Sequence, residues 1–291
     1  MLSYRHAFHA GNHADVLKHC VLVLLLRYLN AKDKPYWVVD SHAGAGSYAL
    51  DSGYALHNRE FDDGIARLWT RSDLPPALAD YVALVRAFND NGKLRRYPGS
   101  PWFALRLMRA ADRLRLFELH GSDVRLLGDD LARHFEQAAE RTAIVHGDGF
   151  AALKSVLPPP SRRGLVLVDP AYEDKRDYRR VPAALREGLE RFATGTYAVW
   201  YPRLPRGEPL QLVERLKKLP VEDWLHASLA VQAPASHGFG LYGSGLFVIN
   251  PPWTLAAALR ETLPYLAAVL GRDAGAGWSV ETSDGAAPAR R

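Results

Sequence analysis

Gly164-Leu165-Val166-Leu167-Val168-Asp169-Pro170-Ala171-Tyr172 reads as a strand that runs straight into a polar turn. Apolar residues with no polar alternation mark a strand buried on both faces, as in a parallel sheet covered by helices. The pattern repeats on either side. Tyr36-Trp37-Val38-Val39 is a second such run, ending in Asp40 and the loop Ser41-His42-Ala43-Gly44-Ala45-Gly46. Further strands are predicted at 114–119, 142–146, 196–201, 225–232 and 244–249, with helices at 12–29, 101–111, 123–139, 181–192 and 208–218. Asn12 and Ser100 are the expected N-caps of the first two helices, with Pro101 in the first turn of the second. Strands alternating with helices predict an α/β fold built on a mostly parallel sheet.

One interval breaks the rhythm. The stretch from Asp40 to Leu114 is far longer than the roughly 30 residues of a strand–helix–strand unit. Helical segments at 61–70 and 76–90, separated by Pro75-Pro76 and followed by Asn91-Gly92, make 47–98 a helical insertion. Residues 1–46 and 99–291 then form the main domain, with 1–11 as a mobile N-terminal tail.

The composition is that of a folded globular protein: 291 residues, 48% hydrophobic and 24% charged. That excludes disorder and collagen-like structure for the chain as a whole. The single cysteine, Cys20, allows neither an intrachain disulfide nor a cysteine-based zinc site. The longest apolar run, Cys20 to Leu26, falls short of the about 20 residues of a membrane span. The first nineteen residues hold four histidines and no apolar signal segment, so a cytoplasmic protein without membrane contact is expected. Net charge is +5, and basic residues pair at Arg95-Arg96, Arg162-Arg163, Lys175-Arg176, Arg179-Arg180 and Lys217-Lys218. One such pair is a solvated patch; several around one cleft would attract phosphates.

Open α/β sheets bind ligands beyond the carboxyl ends of their strands. Four of those ends carry an acid: Asp40, Glu118, Asp148 and Asp169. Four acids, each in a turn, suit a ligand with several hydrogen-bond donors. Gly44-Ala45-Gly46-Ser47-Tyr48-Ala49 matches the dinucleotide fingerprint G-x-G-x-x-A, but no second strand follows at the required distance. The other reading is the looser glycine loop of S-adenosylmethionine enzymes. Glu118 then suits two vicinal ribose hydroxyls, and Asp148 an adenine amine, with Phe150 as a ring to pack on it. Asp169 and the Pro170 carbonyl form a two-acceptor cradle for an NH2 group, and Tyr172 offers a flat face to its ring. Two hydrogen bonds from a conjugated amine draw it toward tetrahedral geometry and free its lone pair, which favours the transition state.

Asp169-Pro170-Ala171-Tyr172 resembles the D/N-P-P-Y/F/W motif of amino-methylating S-adenosylmethionine enzymes, with Ala171 in place of the usual proline. Asn250-Pro251-Pro252-Trp253 fits that motif better but follows the last strand, whereas the catalytic motif of this fold follows the fourth; Asp169 is therefore the choice. The opening from Met1 to His19, Asp40 to Gly46, Tyr97 to Pro101, Ser161 to Gly164, Phe192 to Gly195 and Asn250 to Trp253 are together similar to the RlmJ family of bacterial 23S ribosomal RNA (adenine-N6) methyltransferases. The resemblance runs nearly end to end. It implies a Rossmann-like class I S-adenosylmethionine-dependent methyltransferase acting on 23S ribosomal RNA, protein-free or early in assembly, as a monomer. It implies cofactor contacts from Lys18, His19, His42, Gly44, Ser100, Glu118, Asp148, Gly149 and Asp169, catalysis at Asp169, Pro170 and Tyr172, and a target adenosine faced by Tyr4 and His6. Methyl transfer from a sulfonium needs no Lewis acid, so no metal is expected despite the spacing of His6, His9, His13 and His19. The competing readings are a DNA adenine methyltransferase, a dinucleotide-dependent oxidoreductase resting on Gly44-Ala45-Gly46, and an RNA-binding module without catalysis.

Overall fold

A computed structural model describes residues 6–51, 53–236, 238 and 240–284. In chain order the helices are α1 (His13–Asn30), α2 (Gly53–Asn58), α3 (Ala66–Trp69), α4 (Pro76–Phe88), α5 (Ser100–Leu107), α6 (Gly121–His134), α7 (Ala138–Arg141), α8 (Gly149–Val156), α9 (Asp177–Arg191), α10 (Glu208–Lys217) and α11 (Leu255–Leu270). The strands are β1 (Trp37–Asp40), β2 (Ser47–Ala49), β3 (Arg96–Pro98), β4 (Arg113–Glu118), β5 (Thr142–His146), β6 (Gly164–Val168), β7 (Thr196–Arg203), β8 (Trp224–Ala230), β9 (Gly243–Ile249) and β10 (Gly277–Thr282).

Eight strands form one sheet in the order β10-β8-β9-β7-β6-β1-β4-β5. The pairs from β7 through β6, β1 and β4 to β5 are parallel; the pairings of β9 with β7 and β8, and of β10 with β8, are antiparallel. The expected mostly parallel α/β sheet is present. Strand order reverses at β1, which has β4 on one side and β6 on the other, and such a switch point opens a crevice at the strand ends.

Alternation along each strand feeds two cores. Leu165 and Leu167 of β6 pack with α1, α5, α11 and the insertion; Val166 and Val168 face α8, α9 and α10. Each such fully buried side chain contributes about 1.5–3 kcal/mol. The buried α1 begins where Asn12 predicted, its side chain accepting from Ala14 and Asp15 N–H at 2.9 and 3.0 Å. The segment 47–98 begins and ends in the antiparallel pair β2–β3 and packs its Leu68, Leu78 and Tyr81 into the same core as α1.

Some expectations need correction. Ser100 is not a cap: Gly99 holds that position, and the Ser100 hydroxyl donates to Asp40 at 2.6 Å. The helix expected over 123–139 divides into α6 and α7. α9 starts at Asp177, so Pro182 stands inside it; the Tyr178 carbonyl that Pro182 cannot bond accepts from Arg215 at 3.2 Å instead. The segment expected to be a free tail through Gly11 is docked from His6 onward. His9 meets Glu60 at 3.0 Å, the Gly11 carbonyl accepts from Ile65 N–H at 2.9 Å, and Gly11 is packed so tightly that a Cβ would lie 2.9 Å from Ile65. Tyr4 lies outside the described residues. Among the described residues no helix is long and apolar enough to cross a membrane.

Candidate active site

The carboxyl ends of β1, β4, β5 and β6 surround a cavity of about 600 Å³. His6, Lys18, His19, His42, Gly44, Ser100, Glu118, Asp148, Gly149, Asp169, Pro170 and Tyr172 all line it, whereas Asp40 lies behind the lining, bonded to Ser100.

The loops are tied to one another before any ligand enters. The Glu118 carboxylate accepts from Gly44 N–H at 2.9 Å and from His120 N–H at 2.8 Å, locking the glycine loop after β1 to the end of β4. Gly149 lies so close to the first loop that a Cβ would fall 1.9 Å from the Ser41 carbonyl, so only glycine fits. Asp148 caps α8 through Phe150 N–H at 3.0 Å and pairs with Arg180. Phe150 does not line the cavity. It is buried, with the Arg180 guanidinium 4.5 Å from its ring centre and His42 at 4.8 Å, so the packing role expected for it is corrected to a core role. Burial pushes the His42 imidazole down to about 4 and the Asp40 carboxyl up to about 6.

Asp169 is held by a lysine. Its carboxylate lies 2.6 Å from the Lys18 ammonium, which also meets Asp15 at 2.8 Å. Asp15 in turn takes Gly11 N–H and the His6 imidazole, each at 2.9 Å. The series His6–Asp15–Lys18–Asp169 therefore runs from the docked N-terminal segment to the end of β6. Burial opposes charge on Lys18, but Asp15 and Asp169 override it and hold the ammonium protonated. Burial likewise works against the Asp15 carboxylate, yet His6, Lys18 and His19 keep it well below the usual range. Burial raises Asp169, with Lys18 pulling it back. Tyr172 adopts a left-handed backbone (φ 56°), uncommon for a bulky residue, which lets its hydroxyl donate to the Trp200 carbonyl at 2.8 Å.

Sequence reasoning misses Asp15 and Arg180. A carboxylate one helical turn before Lys18 is the available signal for the first; the second needs the fold. The N-terminal histidines do not converge: His6 goes to Asp15, His9 to Glu60 and His19 to Tyr97 at 2.7 Å. Glu118, His120 and Asp123 bring three ligand atoms within 4.8 Å of one another, with both Glu118 oxygens already accepting from Gly44 and His120 N–H. The dinucleotide reading fails on geometry, because Ser47–Ala49 after the glycines is a strand paired with β3 and offers no helix start to a pyrophosphate.

Asn250 lies at the other end of the sheet. Its amide donates to the Ala193 and Gly195 carbonyls, both at 2.7 Å, and fastens the turn before β7. Asn250→Ala is expected to cost about 1–3 kcal/mol of stability and to leave the single-turnover rate at saturating substrate within about twofold of the parent, read by melting curves and rapid quench.

The cavity suits a nucleoside-bearing cofactor. Its volume falls within the range of small-molecule sites, about 300–1,000 Å³. The buried Nε2 atoms of His19 and His120 have no hydrogen-bond partner, which leaves polar groups for a ligand to meet.

A family model described as ribosomal RNA large subunit methyltransferase D, RlmJ, matches residues 33–282. The chain is 48% identical to the ribosomal RNA large subunit methyltransferase J of Escherichia coli K12 over 266 residues, covering 91% of this chain and 93% of that one. The Haemophilus influenzae protein of the same name is 45% identical over 282 residues, 97% and 98% of the two chains. The crystal structure of protein LPL1258 from Legionella pneumophila is similar with a TM-score of 0.86 at 34% identity, covering 96% of this chain and 99% of that one. The match spans the sheet, the insertion and the cavity, and the chain belongs to the RlmJ family of ribosomal RNA large-subunit methyltransferases.

Proposed function

We propose that this chain transfers a methyl group from S-adenosylmethionine to the exocyclic N6 amine of an adenine in 23S ribosomal RNA. The observation that carries the reading is a half-buried Asp169 followed by Pro170 in the cavity at the switch point, with Glu118 and Asp148 from the ends of β4 and β5 lining the same cavity. S-adenosylmethionine supplies an electrophilic methyl when bound. Glu118 and Asp148 are the acceptors for its ribose and adenine, with His19, His42, Gly44, Ser100 and Gly149 completing the pocket.

Lys18 occupies one oxygen of Asp169. The other oxygen and the Pro170 carbonyl accept the two protons of the target amine, and Tyr172 sets the shape of the turn that presents them. Forming the new N–C bond costs the amine one proton. His6, which lines the cavity beside Asp15, is our candidate to receive it. Tyr4 belongs with His6 against the target base.

The target adenine must leave any stack or pair to reach the cavity. We therefore favour 23S RNA that is protein-free or early in assembly, methylated in the cytoplasm. We take the acting unit to be a monomer. Incubation with methyl-labelled S-adenosylmethionine and either 23S RNA or DNA, then nucleoside analysis, tests the proposal. N6-methyladenosine from RNA is the expected product; label in another nucleoside, or in DNA alone, overturns it.

A further inference from the structure

The parallel strands have two ends, and the cavity uses one. At the other end cations collect. Lys32 and Lys34 precede β1, Arg109 precedes β4 and Arg113 opens it, Arg141 precedes β5, and Arg162 and Arg163 precede β6. They form one surface: Arg109 donates to the carbonyls of Lys32 and Lys34 at 2.9 and 2.8 Å, Arg163 to that of Lys34 at 2.6 Å, and Arg141 to that of Arg109 at 3.1 Å.

In the segments that open β1, β4, β5 and β6 these seven cations stand with Asp33, Asp112 and Glu140, of which Asp33 and Asp112 pair with Arg109; Glu222 and Asp223 lie farther along the same end, before β8. The cavity mouth differs. There Lys175 pairs with Glu208, Arg176 with Asp174 and Arg180 with Asp148, so charge is cancelled side by side. At the far end Arg113, Arg141 and Arg163 bond carbonyls, which fixes the guanidinium groups and leaves their charge in place.

Trp253 joins the same end. β9 runs antiparallel to β7, with Ile249 opposite Tyr197, so the chain after β9 emerges where the parallel strands begin. Trp253 is 83% exposed, the most exposed of the large hydrophobic side chains among the described residues. Asn250 pins the backbone that carries it, and Pro251 and Pro252 stiffen the approach. From β9 to β5 the strand starts extend over roughly 24 Å at about 4.8 Å per strand. A fixed exposed ring beside a row of cations is how proteins hold single-stranded nucleic acid: bases stack and phosphates pair.

We propose that this end is a second RNA surface, which seats the phosphate backbone of the substrate outside the methylation site and stacks an unpaired base on Trp253. The proposal rests on the reading of the substrate as RNA. It means that the enzyme grips a long RNA at two places about one strand length apart, and a short hairpin at one.

The experiment compares a long 23S fragment with a short stem-loop carrying the target adenine. Lys32→Gln, Lys34→Gln and Arg162→Gln combined are expected to weaken binding of the long fragment at least tenfold near 0.1 M salt. The slope of log affinity against log salt should flatten by about 2–3, close to one for each phosphate the variant no longer neutralises. Trp253→Ala is expected to weaken the long fragment about fivefold or more with the slope unchanged. Both variants should methylate the short stem-loop like the parent, and the long fragment at the parent's rate once saturated. Lys32, Lys34, Arg162 and Trp253 are all exposed, so the fold should persist, and melting curves confirm it. Parental affinity for the long fragment in the folded triple variant overturns the proposal. Failure of the parent chain to methylate either RNA would instead sink the assigned function.

Discussion

Asp169→Ala lowers the single-turnover rate of methyl transfer by at least about a hundredfold, the usual effect of removing one acceptor aimed at a transition state. The fold should survive, because Lys18 keeps its second carboxylate, Asp15, at 2.8 Å. RNA affinity is expected to stay within about threefold, since one carboxylate in a cavity contributes little to phosphate binding. Asp169→Asn keeps the size and one acceptor oxygen, and should fall between parent and alanine variant. Rapid-quench assays of the folded variants decide. A rate within tenfold of the parent for Asp169→Ala would remove Asp169 from the chemistry.

The second large effect is on stability. Lys18→Met leaves the buried Asp15 and the half-buried Asp169 with no cation between them. Breaking a buried ion pair by removing one partner costs about 3–5 kcal/mol, on the order of 10 °C in melting temperature for a chain of this size. The pH dependence has a defined sign. In the parent chain the Asp15 carboxyl is held well below its usual range, so its contribution is present above about pH 4 and lost as pH falls through the folded value. Without Lys18 both carboxyls titrate higher in the folded state, and protonation relieves their repulsion. The stability gap between variant and parent should therefore narrow as pH drops from 7 toward 4. Adding Asp15→Asn should restore part of the stability. Melting curves at several pH values measure both, and a gap that is constant with pH would show that the deficit comes from packing.

Much of this architecture is legible residue by residue. The unbroken apolar run Leu165 to Val168 predicts a doubly buried strand, Asn12 marks the start of α1, and three of the four strand-end acids, Glu118, Asp148 and Asp169, line the cavity. What escapes are relations across sequence distance. Lys18 and Asp169 are 151 positions apart, and nothing local says that they meet. Ser100 carries the residue type of a helix cap, but a buried Asp40 nearby competes for its hydroxyl and wins. Phe150 follows an acid as a stacking ring would, yet Arg180 from α9 covers it. Residues 6–11 lack an apolar period because their packing depends on the insertion at Ile65 and Glu60 rather than on a helix face of their own.

The placement of α1 also bears on how the chain is made. Fourteen of its 18 residues are buried, on all sides, against β9, α4, α5 and α11. This helix ends at Asn30, while α11 ends only at Leu270. At about 5–20 residues per second, synthesis separates the two by roughly 12–50 s. Throughout that interval Val16, Leu17, Val21 and Leu25 have no finished core to enter. A modification enzyme that must mature before it can serve new ribosomes thus presents the apolar run from Cys20 to Leu26 to the translating ribosome and its chaperones for the whole of that time.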